Sequence, residues 1–267
     1  FTVKATYGGK TIDVTKFNVY VERTMAIPAG VDPNRITTGI VVEADGSVRH
    51  VPTKVVRQDG VYYAQINSLT NSAYAVVWHP VAFADMASHW AKDEVDDLGS
   101  RLVAKGLEDG LFHPEQKMTR AEFAAALVRA LGLRAEKGKA PFSDIRTSDW
   151  YNGEIATAAA YGLIGGFADG SFRPNATLTR EQAMKMLAGA MELTGLQSKL
   201  SGTAAEQRLF VFEDADRLSP WARSSAALAL EAGIVNGRGN RLAAKENMTR
   251  AEVMVMIRRL LKASDLI

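Results

Sequence analysis

Residues 109–122, "DGLFHPEQKMTRAE", and 169–182, "DGSFRPNATLTREQ", are one segment written twice, 60 positions apart. A third copy, "NRLAAKENMTRAE" at 240–252, is one residue shorter and lacks the Gly, the Phe and the Pro of the other two. Trp90, Trp150 and Trp221 recur on the same frame, 30, 30 and 29 residues before Arg120, Arg180 and Arg250. A chain that repeats itself at a fixed period folds as repeated supersecondary units, none of which buries its apolar face alone. This constrains the C-terminal part more than any single motif does. The link from Arg180 to Trp221 is longer than that from Arg120 to Trp150, and the excess falls in the polar stretch "TGLQSKLSGTAAEQR", which reads as a surface loop.

Each copy ends in Thr-Arg-x-Glu/Gln and then an apolar run with helical spacing, as in "FAAALVRALG". Thr followed three residues later by Glu or Gln is the capping box. Thr119 with Glu122, Thr179 with Gln182 and Thr249 with Glu252 are therefore predicted to start helices. The arginine between them is the anomaly, because a helix N-terminus carries partial positive charge. Arg120, Arg180 and Arg250 in equivalent places call for an anion. One source is a ligand carboxylate or phosphate, which the guanidinium fork and the free first-turn amides would share. The other is an internal salt bridge to a loop acid such as Asp109 or Asp169. Residue chemistry leaves the two open. Phe112 and Phe172, in the Asp-Gly-x-Phe turns, read as core. The three tryptophans read either as core anchors in the first turn of a helix or as aromatic faces for a sugar ring.

Residues 1–80 have a different period. "TIDVTKFNVYVER" alternates, and "GIVVEADGSVRHVP" and "KVVRQDGVYYAQI" each place an Asp-Gly turn between two β-branched runs. These features predict antiparallel hairpins in a sandwich-like module. The pattern stops near Pro80, and 83–267 reads as all-α. The opening "FTVKATYGGK" looks like the middle of a hairpin, so the chain is expected to be a piece of a longer protein. A charge balance of 32 basic against 30 acidic side chains argues against a nucleic-acid partner. No apolar run approaches the roughly 20 residues that cross a bilayer. The absence of cysteine excludes disulfides, thiolate metal sites and cysteine nucleophiles.

The segments "FADMASHWAKDEVDDLGSRLVAKGLEDGLFHPEQKMTRAEFAAALVRALG" and "FSDIRTSDWYNGEIATAAAYGLIGGFADGSFRPNATLTREQAMKMLAGAM" resemble the S-layer homology (SLH) repeat, and the segment from Phe212 resembles it more distantly. Phe-x-Asp, Trp, Asp-Gly-x-Phe, Pro and Thr-Arg recur in order. The resemblance implies a multidomain α+β chain: a β-rich module or spacer at 1–80, then repeats at 83–133, 142–193 and 212–262. The three repeats would form a pseudo-threefold helical spindle, a monomeric pseudo-trimer. It also implies an extracellular location at the cell wall or S-layer and non-covalent anchoring to an anionic, peptidoglycan-linked secondary cell wall polymer. That polymer commonly carries a pyruvate ketal on N-acetylmannosamine. The family's ligand residues carry over to Arg120, Arg180 and Arg250, to Trp90, Trp150 and Trp221, to Asp109 and Asp169 with Asn240 as a weakened third, and to Gly106, Gly166 and Gly237. At the glycines a sugar could approach the backbone. The first and second loops are expected to bind best, with the third repeat mainly closing the ring.

No enzyme site is expected. The chain has no Gly-x-Ser-x-Gly elbow, phosphate loop or HExxH motif, and its four histidines are scattered. No cofactor and no metal is expected either, since no EF-hand loop is present. The alternatives are a protein–protein module in S-layer lattice assembly and the non-catalytic tail of a surface glycoside hydrolase.

Overall fold

The computed structural model describes residues 3–43, 45–136, 138–200 and 206–267. Eight strands come first: β1 (Lys4–Tyr7), β2 (Lys10–Asp13), β3 (Lys16–Ala26), β4 (Thr38–Val42), β5 (Val48–Val51), β6 (Thr53–Gln58), β7 (Val61–Thr70) and β8 (Tyr74–Val77). Six helices follow: α1 (Lys92–Ser100), α2 (Arg120–Ala130), α3 (Asn152–Ala160), α4 (Arg180–Leu193), α5 (Arg223–Glu231) and α6 (Arg250–Ala263). The strands form a separate β1-β2 hairpin and two antiparallel sheets, in the orders β3-β7-β6 and β5-β4-β8. Asp59 and Gly60 both take positive φ between β6 and β7, the two-residue turn that an Asp-Gly pair makes in a right-twisted hairpin. "TIDVTKFNVYVER" is not one strand. Its first part ends at Asp13 and pairs with β1, and β3 starts at Lys16 and pairs with β7.

The sheets enclose a small core of Val41, Val51 and Ile66. A core this size is a weak support for a sandwich, and the module leans on the helices instead. Leu69 belongs to the helical core, and Tyr20 packs against it. The Tyr20 hydroxyl donates to the Leu131 carbonyl at 2.6 Å, and Arg101 donates to the Thr53 carbonyl at 2.9 Å. His50 is buried at this junction, where burial and the nearby Arg101 guanidinium push its pKa down to about 3, so the ring is neutral. Gly132 closes α2 with φ +63°, and a Cβ there would stand 2.7 Å from Pro52 Cδ. The β module is thus docked on the spindle through contacts that only the folded chain brings together.

In the helical part, α2 packs on α3, α4 on α5, and α6 on α1, so each long helix lies against the short helix of the next repeat and the series closes on itself. The three long helices also meet one another. At their N-termini the backbone forms a ring: Met118 N–H donates to the Met248 carbonyl (3.0 Å), Met248 to Leu178 (2.9 Å), and Leu178 to Met118 (2.9 Å). Each helix of the ring starts on a complete capping box, Thr119–Glu122, Thr179–Gln182 and Thr249–Glu252. Thr179→Ala is expected to lower stability by about 1 kcal/mol, measured by denaturant unfolding, because it strands an amide of the first turn.

The helices of the tryptophan motif begin later than the sequence suggests. α1 starts at Lys92 and α3 at Asn152, each two residues after its tryptophan, and Trp221 lies in a 3-10 turn before α5. The extra loop before the third repeat falls partly outside the described residues. Its described part holds two short 3-10 turns, Gln197–Lys199 and Glu206–Leu209, and buries Leu196 and Leu209.

Candidate functional site

The arginine anomaly resolves across repeat boundaries. Arg120 Nε donates to the Phe172 carbonyl at 2.8 Å and Nη2 to Gly165 at 3.3 Å. Arg250 makes the same pair of bonds to Phe112 (2.8 Å) and Lys105 (2.8 Å). Arg180 reaches the Asn236 carbonyl. Each guanidinium therefore leaves its own helix start and enters the loop of the next repeat, first to second, second to third, third to first. All three arginines are buried, at 5% exposure.

Neither loop acid forms the salt bridge that the sequence left open. Asp109 and Asp169 close their own turns. Asp109 accepts from Leu111 N–H (3.0 Å) and pairs with His113 (2.6 Å). Asp169 accepts from Ser171 N–H (3.0 Å) and from Arg173 (3.0 Å). These hydrogen bonds hold both carboxyls below their ordinary range, Asp169 at about 2 through the Ser171 hydroxyl and amide and then Arg173. The first-turn amides are not free for an anion either. The N–H groups of Arg120 and Ala121 donate to Ala176 and Pro174, those of Arg180 and Glu181 to Glu246 and Ala244, and those of Arg250 and Ala251 to Gln116 and Pro114. The Thr side chain takes the third amide. What a ligand could reach is the guanidinium, not the helix end.

Asn240 does not stand where Asp109 and Asp169 stand. Its carbonyl accepts from Glu213 N–H as that of Gly170 accepts from Ser143, while the positive-φ glycine of this turn is Gly239. The third turn is one residue shorter and carries no acid. The Asn240 side chain binds Glu213 instead. Sequence reasoning passed over a second set of acids, although Phe-x-Asp was visible. Asp85 clamps the amides of Phe112 and His113 (3.0 and 2.6 Å), Asp144 those of Phe172 and Arg173 (2.8 and 2.7 Å), and Asp214 those of Leu242 and Ala243 (2.6 and 3.0 Å). His113, Arg173 and Ala243 sit at positive φ, so each clamp holds a strained left-handed residue in place. Burial raises Asp85 and Asp214, but the two amide hydrogen bonds outweigh it and keep both below the usual carboxylate range.

The tryptophans are not core anchors. Trp90, Trp150 and Trp221 are 63%, 62% and 52% exposed. The glycines have an internal reason. A Cβ on Gly166 would stand 2.8 Å from Phe142 Cε1 and from the Ser171 carbonyl, and one on Gly237 would collide with Phe212. At Gly106 the neighbours, the Gly110 and Leu111 carbonyls, stand at 3.2 Å.

These parts meet in a groove of about 610 Å³ between the second and third repeats. Arg120, Gly165, Gly166, Phe167, Gln182 and Trp221 are among the residues lining it, with Lys185 and Glu192 along α4. Arg120 lies over the Phe172 and Phe167 rings, 4.4 and 4.9 Å from their centroids. Burial and the neighbouring Arg173 lower its pKa to about 10, so it remains a cation at neutral pH. Among the described residues no carboxylate lies within ion-pair distance of it. The other two grooves are filled differently. Gly189 of α4 corresponds to Arg129 of α2 and Arg259 of α6. Gly189 lets the backbone at Gly162 and Leu163 come against the helix, whereas Arg129 stretches over the first loop to the Val103 carbonyl at 3.1 Å. In the third groove Arg258 bridges to Asp97 (2.5 Å) and Glu94 (3.9 Å), and Arg238 pairs with Glu246 and Glu252.

The helical part is thus a closed ring of three repeats, each lending a buried arginine to the next and presenting an exposed tryptophan. Residues 82–124, 141–184 and 211–254 each match the S-layer homology domain. The chain belongs to this family and carries three of its domains in tandem. It is 34% identical over 247 residues, 91% of its length, to an amylopullulanase of Thermoanaerobacterium thermosulfurigenes. It is 34% identical over 237 residues to the exoglucanase XynX of Acetivibrio thermocellus, and 31% over 196 residues to the S-layer protein sap of Bacillus anthracis. The first two matches are longer than the helical part, so they run on into the β-rich module. The chain spans 13%, 20% and 23% of these proteins. It is an extracellular, cell-wall-associated anchoring module, and the S-layer homology domains themselves are non-catalytic. No helix among the described residues is long and apolar enough to cross a membrane.

Proposed function

We propose that this chain anchors its parent protein by binding a carboxylate-bearing secondary cell wall polymer, with pyruvylated N-acetylmannosamine as the recognised unit, in the groove between the second and third repeats. The observation that carries this is Arg120: a buried cation with no carboxylate partner among the described residues, at the wall of an open groove that the exposed Trp221 also lines. A guanidinium held by two backbone carbonyls keeps three of its five N–H groups for a ligand, and their planar fork matches a carboxylate. An aromatic face beside it suits the apolar side of a sugar ring. Arg250 has Glu122 at 3.8 Å and Arg129 across its loop. Arg180 faces a groove crossed by ion pairs. The second groove is therefore the principal site and the third repeat mainly completes the ring. The parent protein is either a surface glycoside hydrolase or an S-layer protein, both of which occur among the relatives.

Calorimetry with synthetic pyruvylated N-acetylmannosamine, beside the same sugar without the ketal, tests the reading. Binding of the ketal sugar alone, with one dominant site per chain, is expected. Equal affinity for both sugars, or none for either from folded protein, refutes it.

A further inference from the structure

We infer that Gln182 is the residue that turns the second groove into the anion site, by withholding the carboxylate that its two counterparts hold against a cation of their own grooves. The inference rests on the proposed function and adds the determinant of which groove is used.

The third helical position of the capping box is Glu122 in the first repeat, Gln182 in the second and Glu252 in the third. In the first repeat the two carboxylate oxygens divide the work. Glu122 Oε2 accepts from the Thr119 amide at 2.7 Å, while Oε1 lies 3.8 Å from Arg250 Nη1, the guanidinium arriving from the third repeat. In the third repeat Glu252 Oε2 accepts from the Thr249 amide at 2.9 Å, and Oε1 pairs with Arg238 beside the incoming Arg180. Glu252 is also the acid that most opposes the lowering of the Arg180 pKa. So the box glutamate caps its own helix with one oxygen and answers a cation of the groove with the other.

Gln182 keeps only the first role. Its Oε1 accepts from the Thr179 amide at 3.2 Å, and its second atom is an amide nitrogen, which donates. Gln182 and Arg120 line the same groove. The acid that acts on Arg120 is Asp144, whose oxygens are already engaged by the Phe172 and Arg173 amides. The adjacent Glu181 points away and pairs with Lys245 at 2.7 Å. Of the remaining charged residues lining the groove, Lys185 lies near this end. Glu192 is ten residues further along α4, about 15 Å at the rise of an α-helix. The Arg120 end of the groove thus holds two cations and a neutral donor. A ligand carboxylate there takes the place that Glu122 occupies in the first groove, and the Gln182 amide donates to it.

Gln182→Glu tests this without disturbing the cap, since Glu is the residue of the other two boxes. In the absence of ligand the variant is expected to melt about 2–4 °C higher than wild type, because its new carboxylate meets an unpaired buried cation. Its affinity for pyruvylated N-acetylmannosamine is expected to fall at least about tenfold. Glu122→Gln, which removes an existing partner, is expected to melt lower and to leave sugar affinity unchanged. Sodium pyruvate, a bare carboxylate, is expected to raise the melting temperature of wild type more than that of Gln182→Glu. A variant that melts no higher than wild type, or that binds the sugar as tightly, overturns the inference. If wild type binds no sugar, the polymer assignment fails by itself. The pyruvate series then decides the anion site: an equal response of the two proteins, or none in either, overturns it.

Discussion

Arg120→Ala is expected to remove carboxylate-dependent sugar binding from the whole chain, with a loss of about 2–5 kcal/mol in calorimetry, while Arg250→Ala costs little affinity. The asymmetry is the informative part. The three arginines each follow the capping Thr, share 5% exposure and each donate to a carbonyl of a neighbouring loop. If arginine alone made a site, the three variants would behave alike. Among the described residues Arg120 combines an open groove with the lack of an acid within ion-pair range. Arg180 also lacks a carboxylate at that range, but it lies where Arg238, Glu246 and Glu252 occupy the approach. Comparable losses in Arg120→Ala and Arg250→Ala would show that the first groove opens in solution despite Arg129, and would make the anchor at least bivalent.

The sequence made the repeat, the capping boxes and the Asp-Gly hairpins legible because each is a local pattern. Thr119 and Glu122 are three residues apart, and Asp59-Gly60 is a dipeptide whose turn type follows from its backbone preferences. What it hid depends on partners distant in the chain. Arg250 meets Phe112 and Lys105 more than a hundred residues earlier, so no local rule could separate a ligand role from a salt bridge. The first-turn amides appeared free because the carbonyls that fill them belong to the next repeat. Asn240 lines up with the loop acid in sequence because a shortened turn leaves the position of its gap open, whereas in the fold its carbonyl accepts from the Glu213 amide and its side chain binds Glu213. The docking of the β module was hidden for the same reason, since Gly132 reads as an ordinary helix terminus until Pro52 stands against it.

Phe172→Ala is expected to destabilise the chain by about 3–5 kcal/mol, measured by denaturant unfolding, the range for truncating a fully buried phenylalanine. It is also expected to weaken sugar binding in protein that is still folded. Both effects come from one position. The ring packs on Phe142 at 5.2 Å between centroids, inside the second repeat, and its face carries the Arg120 guanidinium at 4.4 Å. The carbonyl of the same residue accepts from Arg120 Nε, and its amide is held by Asp144. Removing the ring leaves the backbone bonds in place but takes away the surface that flattens the guanidinium against the loop. Leu242 fills the corresponding place in the third repeat, where it is fully buried and its amide is held by Asp214. An aliphatic side chain therefore satisfies the core without offering Arg180 an aromatic face. Phe172→Leu separates the two roles. It should recover most of the stability lost in Phe172→Ala, since it leaves a smaller cavity, and still bind the sugar more weakly than wild type. Recovery of both by Leu would mean that the aromatic face contributes nothing to Arg120 and that the carbonyls alone position it.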